Sequence, residues 1–119
     1  MMKSLTAAAV IVACALTVWA QTPAKKAYLL VQSDVTNPQQ YAEYAKLTPA
    51  IVEKFGGRFI ARGGQSATLE GRAAPGRVVV IEFPSYERAQ AYYASAEYQD
   101  AKKKRAGAAT MQMVIVEGL

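Results

Sequence analysis

Two helical segments, each following one extended run and leading into another, constrain the fold of this chain more than any other feature of its sequence. Ala27 to Val35 is aliphatic at nearly every position at first and then alternates, the pattern of a strand covered on both faces at its start. Asn37 then precedes Pro38, an N-cap residue followed by the residue best tolerated at the first helical position. Tyr41, Tyr44, Ala45, Thr48, Ile51, Val52 and Phe55 recur at spacings of three and four, so one face of this helix is apolar and packs on a sheet. Pro49 lies inside the segment, where it removes a backbone hydrogen bond and strains the preceding turn; it predicts a kink or break near Leu47. Gly56-Gly57 closes the segment.

The second half repeats the scheme. Arg58 to Arg62 reads as a second strand, interrupted by Gly63-Gly64 before Gln65 to Glu70, and the diglycine predicts a bulge or tight bend. Gly71 to Gly76 has turn chemistry, and Arg77 to Phe83 is the most strand-like run in the chain. Pro84 stops it, Ser85 caps a helix whose Ala89, Tyr92, Tyr93 and Ala96 share a face, and Ser95 caps a further segment bearing Tyr98, Ala101, Lys102 and Arg105. Gly107 ends that segment, and Met111 to Glu117 supplies a last strand. The order βαββαβ is that of ferredoxin-like α+β domains, with a mixed sheet of antiparallel type in which strands one and two run the same way and strand three lies between them. Both helical segments cover one face. The bare face exposes apolar residues, and two copies pairing through it would bury Tyr28, Leu30, Ile60, Val78, Val80, Met111 and Met113, which predicts a homodimer.

Upstream of Ala27 the chain changes character. Leu5 to Val18 is an uncharged apolar run after Lys3, and Val18 and Ala20 sit at the −3 and −1 positions of a cut before Gln21. Residues 1–20 therefore read as a cleavable export signal, 21–26 as a short polar tether and 27–119 as one folded domain. The run is shorter than the roughly 20 residues that span a bilayer, so no stable membrane span is expected after cleavage. Ile11-Val12-Ala13-Cys14 offers a second reading, a lipobox that would lipidate Cys14, but the apolar run continues past the cysteine where a polar tether normally follows. The expected location is periplasmic or secreted. Cleavage removes the one cysteine, and the chain has no histidine, so the mature protein can form no disulfide. The whole-chain charge of +5 less that of Lys3 leaves +4, much of it in Lys102 to Arg105; without an RNA-reading aromatic signature these basic residues read as a solvated helix face, and no nucleic-acid partner is expected.

Phe55 to Gly64, Leu69-Glu70-Gly71, Val80 to Ser85 and Tyr98-Gln99, in that order and spacing, closely resemble the family called domain of unknown function 1330, over nearly all of residues 27–119. The resemblance implies a dimeric α/β barrel, related in shape to small cofactor-free monooxygenases, stress-responsive barrel proteins and haem-dependent dismutases, and it implies no particular activity. This chain has Ala96 where the family often carries a proline, and most relatives lack an export signal.

Without histidine or a retained cysteine, the usual transition-metal ligands are missing, and no P-loop, dinucleotide fingerprint or nucleophile-and-base pair is present, so neither a metal nor a cofactor is expected. The polar residues with sheet positions are Gln32 and Asp34 on strand one, Arg58 and Arg62 on strand two and Glu82 on strand three. Pairing Glu70 near Arg77 across the turn, with a bulge at the diglycine, brings Arg62 close to Glu82. An arginine there would fix a carboxylate or enolate bidentately, and a carboxylate in apolar surroundings would serve as a base; the competing reading is a structural ion pair. Tyr41, Tyr44, Tyr92, Tyr93 and Tyr98 either line a pocket for an aromatic ligand or form core. Candidate ligand residues are thus Arg62, Glu82, Arg58, Asp34, Gln32, Tyr41 and Tyr98. Two functions stay open: a dimeric module binding a small anionic or aromatic compound, and a cofactor-free enzyme acting on a small organic acid or phenol by proton transfer or oxygen chemistry.

Overall fold

A computed structural model describes residues 23–72 and 76–119. The export-signal and lipobox readings, with part of the tether and of the turn at 71–76, fall outside those residues. The elements run β1 (Ala27–Val35), α1 (Pro38–Ala45), α2 (Thr48–Lys54), β2 (Arg58–Arg62), β3 (Arg77–Phe83), α3 (Tyr86–Ala94), α4 (Ala96–Lys104) and β4 (Ala109–Glu117). The sheet order is β2-β3-β1-β4, the ferredoxin-like arrangement. All three pairings are antiparallel, so the sheet is not mixed: β1 and β2 run the same way but β3 separates them.

Local chemistry accounts for the helix ends. The Asn37 side chain accepts a hydrogen bond from the Gln40 amide at 3.1 Å, Ser85 Oγ accepts from Arg88 at 3.1 Å, and Ser95 Oγ accepts from Tyr98 at 3.1 Å. The first helical segment breaks at Lys46-Leu47, as Pro49 requires: a continuous helix would bond the Ala45 carbonyl to the amide of residue 49, and proline has none. Gly57 lies so close to Phe83 that an added Cβ would stand 2.7 Å from its ring, and this contact seats α2 against the sheet end.

Strand alternation divides the sheet into two faces. Ala27, Leu29, Val31, Val79, Ile81 and Phe83 point to the helices and form the core with Val52, Ala89, Tyr92, Tyr98 and Ala101. Tyr28, Leu30, Val78 and Val80 occupy the bare face, as their sequence positions predict. Met111 and Met113 do not. Met113 pairs with Val31 and Met111 with Ser33, both facing the helices, so the methionines pack against the core, and Val114 and Val116 take the bare face of β4 instead. A second correction concerns the bulge, which lies between Phe59 and Ala61 rather than at the diglycine. After Arg62 the Gly63 amide bonds to the Val78 carbonyl at 2.9 Å, and Gln65 to Glu70 then leave the sheet, so Glu70 does not pair with Arg77.

Candidate functional site

The inward set of β1 and β3 is apolar except at one end, where Ser33 pairs with Arg77 across the ladder. Arg62 joins them because of the bulge. In an unbroken ladder from the Arg58–Glu82 pair, Arg62 would share the bare face with Arg58; the extra residue at Ile60 places Arg62 opposite Val79 and turns it to the helices. There its Nη2 donates to the Ala45 carbonyl at 2.9 Å, the acceptor that Pro49 leaves free, and Thr48 Oγ1 donates to the same oxygen at 3.1 Å. Its guanidinium lies 4.3 Å from the centre of the Phe59 ring, within the range of a cation–π contact.

Arg77 lies beside it, 5.9 Å from the Tyr41 ring centre, in space left by Gly63. An added Cβ at Gly63 would meet Arg77 Nη1 at 2.5 Å, and the φ of +69° there also favours glycine. Among the described residues neither Arg62 nor Arg77 forms an ion pair. Arg77 Nε and Ser33 Oγ are buried without a hydrogen-bond partner among the described residues, Ser33 being 0% exposed. An orphan group of this kind costs about 1–3 kcal/mol. Ser33, Asp34, Tyr41, Ala45 and Arg77 line a cleft of about 500 Å³. Tyr41, Ala45 and Arg77 also border a small hollow of about 20 Å³ reaching Arg62, Tyr44 and Tyr92, with room for one water. Two unpaired cations, an orphan hydroxyl and an aromatic wall suit a small organic anion.

Deeper in, the tyrosines form a hydrogen-bonded core. The Tyr44 and Tyr98 hydroxyls are 2.9 Å apart, Arg105 Nη2 donates to Tyr98 at 3.2 Å, and the Tyr98 hydroxyl reaches Met113 Sδ at 3.5 Å. Burial, then the neighbouring Tyr98, pushes the Tyr44 hydroxyl well above the ordinary phenol range, and burial does the same to Tyr92. Tyr44 and Tyr92 therefore stay protonated at neutral pH. Tyr98 is fully buried and belongs to this core rather than to the cleft wall.

Glu82 belongs to the other face. Its Oε1 accepts from Arg58 Nε at 3.1 Å and lies 3.4 Å from Lys26 Nζ, with the side chain only 14% exposed. The Arg58 hydrogen bond holds this carboxyl below the usual range against a desolvation that raises it. Arg62 and Glu82 are thus not in one pocket, and Arg58 is the arginine that Glu82 meets. Gln32 pairs with Val78 and Gln112 on the bare face, and Asp34, at the end of β1, lines the cleft mouth. Of the seven residues proposed from sequence, Tyr41 and Asp34 line the helix-side cleft and Arg62 borders the small hollow next to it.

A family model described as Domain of unknown function (DUF1330) matches residues 26–119. The chain belongs to the DUF1330 family. No curated protein matches the sequence. Among solved structures, a protein of unknown function from Rhodopseudomonas palustris superposes with a TM-score of 0.64 at 20% identity, covering 80% of this chain and 83% of that one. A hypothetical Arabidopsis thaliana protein gives 0.57 at 15% identity, covering 81% and 89%. SnoaB, a cofactor-independent oxygenase from Streptomyces nogalater, gives 0.52 at 9% identity, covering 81% and 95%. At these identities the likeness is one of fold.

Sequence reasoning missed Ser33 and Arg77 in this DUF1330 domain. Both stand at inward positions of strands that are otherwise apolar on that face: Ser33 continues Ala27, Leu29 and Val31, and Arg77 continues Phe83, Ile81 and Val79. A polar residue in the inward series was the available signal. Among the described residues, no three of His, Cys, Asp and Glu lie together in a way that would hold a metal ion.

Proposed function

We propose that this DUF1330 domain binds a small anionic organic compound in the helix-side cleft, as an exported homodimer. Arg77, which borders both the cleft and the hollow, and Arg62, which borders the hollow, have no carboxylate partner among the described residues and carry this reading. An unpaired guanidinium in a partly closed site attracts a carboxylate or enolate through charge-assisted hydrogen bonds, and Tyr41 offers a face to an aromatic body. Binding is favoured over turnover because the cleft is poor in bases. Glu82 faces away, Tyr44 and Tyr92 stay protonated, and Asp34 at the mouth is the one carboxylate among the described lining residues. A cofactor-free enzyme acting on a phenol or organic acid, the competing reading, would have to use Asp34 as its base.

The apolar bare face supports the dimer: Leu30 is 40% exposed, Val116 46% and Val114 47%. A solved structure of similar fold from Bacteroides fragilis is described as dimeric. The apolar run at 5–18 supports export, with cleavage before Gln21; the intact mass of extracytoplasmic protein would then begin at Gln21, whereas a lipidated chain beginning at Cys14 would overturn it. Native mass spectrometry of the protein from its own source tests the binding reading. We expect a small acidic compound to be retained by the unmutated protein and lost from Arg77→Ala. Retention by Arg77→Ala, or turnover abolished by Asp34→Asn, would overturn it.

A further inference from the structure

Met111 and Met113 border the small hollow near Arg62 and also a second, larger one of about 550 Å³ between α3, α4 and β4. One part of its wall is apolar, formed by the two methionines, Ile115 and Leu29; the other carries Lys102, Arg105 and Tyr93. The volume falls within the range of small-molecule sites, and methionine side chains adapt to irregular apolar bodies. The four consecutive basic residues at 102–105 are not equivalent. Lys103 lies 3.6 Å from Asp100, whereas Lys102 and Arg105, three residues apart, line the hollow, and among the described residues neither meets a carboxylate. Lys102 Nζ donates to the Tyr93 hydroxyl at 3.0 Å, and this bond lowers the Tyr93 pKa, so the local field favours negative charge. Arg105 Nη2 donates to Tyr98 at 3.2 Å, and its buried Nε has no partner among the described residues.

We infer that this hollow is a second ligand site, taking an amphipathic organic anion with its acidic head at Lys102 and Arg105 and a linear apolar body along Met111, Met113 and Ile115. The inference stands apart from the Arg62–Arg77 reading, because the head groups and the larger part of the wall are different. Octanoate and 1-octanol test it by amide chemical-shift titration of the purified protein. Octanoate should move the signals of Tyr93, Lys102 and Ile115 to saturation, 1-octanol should bind more weakly, and Lys102→Glu should weaken octanoate by about tenfold or more at an unchanged melting temperature. Equal binding of octanol, unchanged affinity in Lys102→Glu, or shifts confined to the bare sheet face or to Arg62 and Arg77 would overturn it.

Discussion

Ser33 and Arg77 face each other across the ladder, and each carries a buried polar atom that finds no partner among the described residues. Such atoms are destabilising unless a ligand or water completes them. We expect Ser33→Ala to leave the melting temperature of the ligand-free protein unchanged or raised, because it deletes an orphan hydroxyl, while diminishing the ligand-induced shift. A clear drop in stability would show that the hydroxyl is already satisfied. Glu82 is the opposite case, a carboxylate held by Arg58 and Lys26. Its folded pKa is lowered, so its stabilisation is complete at neutral pH, where folded and unfolded chains are both ionised, and is lost as pH falls through the folded value. Glu82→Gln should therefore flatten part of the acid limb of a melting-temperature profile and leave ligand responses intact; an unchanged acid limb would contradict this.

At the scale of elements, one proline organises the cleft. Pro49 denies the Ala45 carbonyl its helical partner, and Arg62 takes up that oxygen. Pro49→Ala restores an N–H at that position. We expect its amide to exchange slowly with solvent, Arg62 to lose its anchor and the ligand-induced thermal shift to fall; a fast-exchanging amide with full ligand response would count against this. The break at Leu47 was legible because proline's missing donor is written in the sequence. The bulge at Ile60 was not. The diglycine attracted the expectation, yet the extra residue lies in Phe59-Ile60-Ala61, where no glycine marks it. Arg62 was paired with Glu82 because the turn was expected to match Glu70 with Arg77, whereas Gln65 to Glu70 leave the sheet and Arg62 stands opposite Val79. The β4 methionines were misplaced for a related reason: Met111, Met113 and Ile115 alternate with Gln112, Val114 and Val116, and a series apolar on both sides does not declare which side meets the helices.

For the whole molecule, the order of elements and the split of each helical segment could be read from caps, glycines and prolines, but the assembled cleft depends on register, which local sequence sets weakly. The bare face leads to a prediction of its own. Light scattering should give a dimer at micromolar concentration, and Leu30→Lys should shift it toward monomer, since two like charges would be buried in the contact. A monodisperse monomer in the unmutated protein would refute the pairing. The central claim, that Arg77 and not Glu82 governs ligand recognition, is tested most directly by thermal shift against a panel of aromatic and aliphatic organic acids on three proteins. The unmutated protein and Glu82→Gln should share the same stabilising ligands, and Arg77→Ala should lose them, with affinity reduced by the roughly 1.5–3 kcal/mol typical of a charged hydrogen bond. If Arg77→Ala keeps every shift and Glu82→Gln loses them, the helix-side cleft is not the site.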